Sequence, residues 1–372
     1  MIYFDNNATT PIDPLVFEAM KPFLTTFYGN PSSLHRHGRV VKTAIEQARQ
    51  QVAKLVNVEA DQVVFTSGGT EANNLCISAV VCSGKKHILV AATEHPSVIE
   101  QVRDLSTHGF MFDELTVDHD GLIFKDNLEA SVRTDTGLIS IMHSNNETGV
   151  IQNTSKFAEW ANKKGIVFHT DAVQSVGKIA IDFNALKVNL MSLSGHKINA
   201  PKGVGAVIHD KKTALSPLLH GGGQENGLRP GTENVAAIVG FGKAAELAQQ
   251  GLEQRSEQLV KLQAILEEGL RGVNGLTVVG ANTDRLPNTS QILMENVDGE
   301  MLLMQLDQKG VAISSGSACS SNSKKPSAVL KAMGFSDALA LSAIRVSLGH
   351  QNTQQEVLDF ISALKSILNH SA

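Results

Sequence analysis

Ile166-Val-Phe-His-Thr-Asp-Ala-Val-Gln174 and Val188-Asn-Leu-Met-Ser-Leu-Ser-Gly-His-Lys197 each lead from a short apolar run into polar groups. Runs this short and this apolar read as strands buried on both faces. They predict strands over 166–170 and 188–193. Asp171 closes the first run and Lys197 follows the second. In an open α/β sheet, groups just past the strand ends gather along one edge, where ligands bind. Asp171 and Lys197 are therefore expected as neighbours at such an edge.

The same rhythm extends in both directions. Asp13-Pro14 is a helix start, with a capping carboxylate and proline in the first turn. Val16, Met20, Phe23 and Phe27 then recur at helical spacing, and a longer helix over 36–56 has Val41, Ala44, Ala48, Val52 and Leu55 on one face. Strands over 62–65, 87–92, 138–142 and 203–209 alternate with helices over 70–81, 96–107 and 154–164. This alternation predicts an α/β fold with a large, mostly parallel sheet. His95 and Asn145 fall at strand ends, like Asp171 and Lys197.

A long helical stretch over 234–271 breaks the alternation. Strands over 291–297, 311–314 and 343–348 and helices over 300–309 and 353–368 then predict a smaller α+β module. The expected division is a large cofactor domain over 15–250 and a small domain from 1–14 with 251–372, which carries the loop of Cys319.

Composition narrows the function. With 372 residues, 42% hydrophobic and 19% charged, the chain reads as a soluble globular enzyme. A formal net charge of -5 and no concentrated basic run argue against a nucleic-acid surface. Apolar runs are far shorter than the ~20 residues of a spanning helix, so no membrane association is expected. Three cysteines make no disulfide framework, and the first residues show no signal peptide, so a cytoplasmic location is expected.

The chemistry lies in a few loops. A lysine amine that captures an aldehyde, beside a carboxylate that keeps a pyridine nitrogen protonated, is what pyridoxal 5'-phosphate requires. Lys197 and Asp171 are those two residues. In Ser67-Gly-Gly-Thr-Glu71, glycines and a helix start suit a phosphate, although an ordinary glycine turn would read the same. His95, in Glu94-His95-Pro96, can stack on a flat ring and move protons, or be a plain turn histidine.

Other motifs are set aside. His220-Gly-Gly-Gly223 lacks the nucleophile elbow that an oxyanion loop serves. Gly240-Phe-Gly242-Lys-Ala-Ala245 has no clear strand before it, so it is no dinucleotide fingerprint. His35-Arg-His37 lacks ligand-spaced companions, and no metal site is expected. Cys76 and Cys82 read as packing residues. Cys319 differs, because its neighbours in Ser314-Ser-Gly-Ser-Ala-Cys-Ser-Ser-Asn-Ser323 are small and polar, which predicts an accessible thiol.

With these residues in view the chain resembles the cysteine desulfurases, in the class-V branch of the aminotransferases. The motifs span almost its whole length: Phe4-Asp-Asn-Asn-Ala-Thr-Thr-Pro11, Gly29-Asn-Pro-Ser-Ser33, Asn145-Asn-Glu147, Arg229-Pro-Gly-Thr232 and Ile344-Arg-Val-Ser-Leu348, besides those already quoted. The long Ser/Gly loop resembles group I, the nitrogenase and iron–sulfur-cluster type. The resemblance implies the fold type I transferase architecture and pyridoxal 5'-phosphate as cofactor.

It also implies residue roles. Lys197 holds the cofactor aldehyde, and His95 stacks on the ring. Asp171 pairs with the ring nitrogen and Gln174 with the ring hydroxyl. Gly69, Thr70, Ser194 and His196 hold the phosphate, with Thr232 reaching in from the other subunit of a homodimer. Asn145 and Arg345 bind the carboxylate of L-cysteine. Cys319 takes the sulfur as a persulfide, L-alanine leaves, and the sulfur passes to an acceptor protein, an iron–sulfur scaffold or a tRNA-thiolation protein. A selenocysteine lyase or a related class-V aminotransferase is the alternative. Only Asn369-His-Ser-Ala372 follows the last predicted helix, whereas housekeeping members carry a longer extension, which leaves the scaffold partner open.

Overall fold

The computed structural model describes residues 1–315 and 325–370. A short strand β1 (Ile2–Tyr3) precedes the main sheet. That sheet consists of β2 (Val63–Thr66), β3 (His87–Ala91), β4 (Met111–Leu115), β5 (Thr136–Ser140), β6 (Val167–Asp171), β7 (Leu190–Ser194) and β8 (Gly205–His209). The spatial order is β2-β8-β7-β6-β5-β3-β4. The run from β7 to β4 is parallel, and β8 is antiparallel to both β7 and β2.

Local sequence explains most of this. Every residue of β3, β5 and β7 is buried, as their apolar runs predict. The β4 strand has no counterpart in the sequence reading. It is one of the two edge strands and, unlike β2, partly exposed, and its Asp113 and Glu114 break the apolar signal. Charge on an open edge discourages pairing with another chain, and Asp113 meets Arg133 at 2.6 Å.

A second sheet, order β12-β13-β10-β9, comprises β9 (Leu276–Val278), β10 (Thr289–Met294), β12 (Ser314–Ser315) and β13 (Ile344–Ser347), with antiparallel pairings. The short β11 (Val311–Ala312) pairs in parallel with β1, so the N-terminal segment joins this half of the molecule. The two sheets have separate cores. Val52, Phe168, Met191 and Phe241 belong to one; Phe4, Leu266, Ile292 and Phe360 belong to the other.

The helical expectations need three corrections. The stretch over 234–271 is two helices, Val235–Gln250 and Leu252–Leu270, with Gly251 between them. Glycine gives little support to a helix interior, and the chain turns there. The helix expected over 70–81 is likewise divided, into Gly69–Ile77 and Ala79–Cys82. Cys82 at its end is exposed, while Cys76 is buried as read from the sequence. The helix Pro14–Thr25 stops before Phe27, and Phe17 and Leu24 on it are exposed.

Gly240 and Gly242, set aside as a nucleotide motif, serve packing. A Cβ on Gly242 would lie 2.5 Å from Ala48 Cα, and one on Gly240 would lie 2.7 Å from Met20 Sδ. They let Val235–Gln250 approach Arg36–Leu55 and Pro14–Thr25 closely. Gly242→Ala should therefore destabilise the fold by about 1–3 kcal/mol, because the backbone of Ala48 cannot move aside. Urea unfolding at an unchanged midpoint would contradict this packing.

Candidate active site

The carboxyl ends of β3, β5, β6 and β7 open onto a cavity of ≈ 410 Å³. Its wall includes Gly69, Thr70, His95, Asp171, Gln174, Ser194, His196, Lys197 and Arg345. All but Arg345 lie at or just past strand ends of the main sheet and meet because those strands share one direction, while Arg345 comes from β13 of the second sheet.

Lys197 ends a single 3-10 turn, Gly195–Lys197, immediately after β7. Its ammonium donates to the backbone carbonyls of Asn7 and Ala8, at 2.7 Å from the latter. Asp171, on the neighbouring strand, is buried. Its Oδ1 accepts from the Val173 N–H (2.9 Å) and its Oδ2 from Asn73 Nδ2 (2.8 Å). His95 caps the helix Pro96–Thr107: its Nδ1 accepts from the Ser97 N–H at 3.1 Å. Burial holds its pKa below the ordinary histidine value, partly offset by the charge of Asp171.

At one end of the cavity the residues suit a phosphate. Ser194 Oγ is buried with no hydrogen-bond partner among the described residues. A Cβ on Gly69 would lie 3.4 Å from Ser194 Cβ and 3.3 Å from Val173 Cγ2, so the absence of a side chain keeps this end clear. Gly69 and Thr70 begin the helix Gly69–Ile77, whose first N–H groups and dipole favour an anion. His196 is pushed down to about 4, first by burial and then by Lys197 and Lys202, so it is a neutral ring at pH 7. Glu71 braces the loop, accepting from the Ser67 N–H (2.8 Å) and pairing with Arg229 (2.9 Å). An orphaned hydroxyl, a glycine cradle and an amine beside a buried carboxylate fit pyridoxal phosphate.

At the other end lies Arg345, 2% exposed. It donates to Asp5 Oδ1 (2.7 Å) and to the Asn146 carbonyl (3.1 Å), while its Nε has no partner among the described residues. The expectation for Asn145 needs correcting. Its Oδ1 accepts from the N–H groups of Glu147 (2.9 Å) and Thr148 (3.0 Å), and its Nδ2 donates to the Thr93 carbonyl (3.0 Å). Asn145 thus holds the turn, and its neighbour Asn146 lines the cavity instead. Thr232 is exposed and outside this wall. Cys319 lies outside the described residues. Residues that follow its segment do reach the cavity: Ala328 and Val329 line it, and Ser327 Oγ donates to Glu147 Oε2 at 2.5 Å.

Several cavity residues were given no role from the sequence. Glu94, Glu147 and Asn73 line the wall, and Lys178 stands behind Gln174. The Lys178 ammonium donates to Gln174 Oε1 (2.8 Å) and Asn7 Oδ1 (2.7 Å), which fixes the orientation of the Gln174 amide. Cys76 is sealed beneath the site, and burial pushes its thiol up to about 12. Among the described residues no cluster of three or more His, Cys, Asp or Glu could hold a metal ion.

Sequence comparison and structure comparison agree. The family model Aminotransferase class-V matches residues 2–360. The chain belongs to the class-V aminotransferase family. Cysteine desulfurase IscS of Dictyoglomus turgidum is 43% identical over 371 residues, covering 99% of this chain and 94% of that protein. A solved NifS-like protein superposes with a TM-score of 0.93 at 37% identity, covering 99% of both chains. The structure of SspA in complex with cysteine gives a TM-score of 0.83 at 34% identity, covering 95% of this chain and 100% of that one. The expected fold class is correct on these grounds, and no helix among the described residues is long and apolar enough to cross a membrane.

The buried Glu94 yields a test within this family site. Burial first, and the charge of Asp171 second, raise its carboxyl from 4.5 to about 8. Between those values the folded chain keeps a proton that the unfolded chain has released, so stability falls as pH rises through that window and levels off above it. Glu94→Gln removes this titration. Its urea midpoint should fall less than that of the parent between about pH 5 and pH 8. Parallel curves for the two proteins would show that Glu94 does not titrate in the fold.

Proposed function

We propose that this chain is a cysteine desulfurase: it removes sulfur from L-cysteine, stores it on Cys319 as a persulfide and releases L-alanine. The observation that carries this reading is Lys197 and Asp171 facing one cavity whose far end presents the unpaired Ser194 hydroxyl. The relatives named cysteine desulfurase, matched over nearly their full length, support it. Pyridoxal phosphate, when bound, supplies an electron sink for breaking bonds at the substrate's amine-bearing carbon.

The protein's residues then divide the work. The Lys197 amine anchors the cofactor aldehyde, and Asp171 keeps the ring nitrogen protonated. Ser194, Thr70 and neutral His196 hold the phosphate with the helix N-terminus at Gly69. Gln174, oriented by Lys178, serves the ring hydroxyl. Nδ1 of His95 is committed to its helix cap, so proton exchange falls to Nε2. Arg345, with Asn146 in place of Asn145, reads the substrate carboxylate, to which a guanidinium can donate twice. The Cys319 thiolate takes the substrate sulfur, the C–S bond breaks with its electrons left on the carbon side, and a proton returned there gives alanine. A free thiol is only a few per cent ionised near neutral pH, so a local drop in its pKa is part of this reading.

The separate cores support the division into 15–250 and 1–14 with 251–372. The exposed Phe17, Leu24 and Tyr28, with exposed Thr232, support a symmetric homodimer in which Thr232 completes the neighbouring copy's phosphate site. The proposed sulfur acceptor is an iron–sulfur scaffold or a tRNA-thiolation protein, and the proposed compartment is the cytoplasm.

Four measurements test this reading. Lys197→Ala should lose alanine production by orders of magnitude; near-normal turnover would refute its role. Mass spectrometry after mixing with cysteine should find one added sulfur on the Cys319 peptide. Cys319→Ser should bind cysteine but form no alanine. Substantial turnover of selenocysteine by Cys319→Ser would favour a lyase, and a persulfide on Cys76, or on no cysteine, would refute the role of Cys319. Sedimentation of a fully active monomer would overturn the dimer.

A further inference from the structure

A second cavity, also ≈ 410 Å³, adjoins the first and shares Lys197 with it. Lys178, Lys197, Lys202, Arg255 and His350 line it, and among the described residues no aspartate or glutamate does. This is unusual for a chain of net charge -5. Arg255 stands in the first turns of the helix Leu252–Leu270. Its guanidinium is half-buried, and no described residue hydrogen-bonds to it or forms an ion pair with it. Asp13 acts on Arg255 and on His350 only from beyond ion-pair distance. Lys178 is buried against two neutral amide oxygens, and burial, with Lys197 and Arg345, pushes its pKa well below the ordinary lysine value.

Partly desolvated cations crowded into one cavity are costly, and an anion between them offsets that cost. Burial lowers the pKa of Arg255 and of His350, the charge of Arg255 adds to the depression at His350, and the more distant Asp13 offsets both only in part. We propose that this cavity is a binding site for a small dianion bearing phosphoryl or carboxylate oxygens, anchored by Arg255 and Lys202. A guanidinium matches either oxyanion with two parallel hydrogen bonds, and a lysine supplies a mobile point charge. Because Lys197 and Lys178 belong to its wall, occupancy is coupled electrostatically to the first cavity.

Calorimetry on the pyridoxal phosphate-saturated protein tests this, since the cofactor then fills the phosphate end of the first cavity. Inorganic phosphate, above its second ionisation, and succinate are titrated separately, with sodium chloride at matched ionic strength as the control. At least one probe should bind saturably, one per chain, and the probe that binds tells phosphoryl from dicarboxylate recognition. Arg255→Ala and Lys202→Ala should each weaken it at least tenfold, about 1.4 kcal/mol, while exposed Lys125→Ala leaves it unchanged. Thermal melting checks folding, and exposed Lys202 carries the test if Arg255→Ala does not fold. No saturable binding of either probe to about 10 mM, or equal affinity in the folded variants, overturns the site. Calorimetry reads binding and not turnover, so this failure leaves the desulfurase reading standing.

Discussion

Asn7 ties the active site to the rest of the molecule. Its backbone carbonyl accepts from the ammonium of Lys197 and from Gln174 Nε2 at 3.0 Å. Its side-chain oxygen accepts from Lys178 (2.7 Å) and Asn288 (3.0 Å). Its side-chain nitrogen donates to Thr289 Oγ1 (2.8 Å) and the Asn146 carbonyl (3.1 Å), and its N–H to Ser347 Oγ (2.9 Å). One buried residue therefore joins the loops after β6 and β7 to β10 and β13. A buried polar group must find partners or lose free energy, so this network holds those elements in one arrangement.

The second constraint is charge. His196 and His169 are kept neutral by burial, at about 4 and about 3, and Glu94 is kept protonated at about 8. Glu147, held by Ser327, is raised to about 7 by the same desolvation. Separating titratable groups by environment is how one site assigns acid, base and electrostatic roles. A chain of hydrogen bonds from Glu94 through Ser140, His169 and Ser192 to Cys76 runs under this edge and satisfies polar atoms that the apolar strands would otherwise strand.

Much of the sheet was legible in the sequence, because central parallel strands must be apolar on both faces. The edge strand β4 was not, since one side of it meets water and tolerates Asp113 and Glu114. The helix over 234–271 kept its periodicity across Gly251, so the break was invisible until packing showed it. In the site, Lys197, Asp171, His95 and the glycines at Gly68 and Gly69 stood out because strand-end loops seldom need those types together. Asn145 and Asn146 could not be told apart, because adjacent residues in a turn differ only in the direction their side chains take.

The sequence by itself determined the α/β alternation, the paired lysine and carboxylate, and the glycine-rich helix start, since each depends on local spacing. Only the tertiary structure decided which polar residues share a wall. Glu94 gained its proton, Lys178 its amide partners and Asn146 its place at the cavity through neighbours distant in sequence. Those properties follow from desolvation and from contacts between remote segments, and neither is a property of a residue's sequence neighbours.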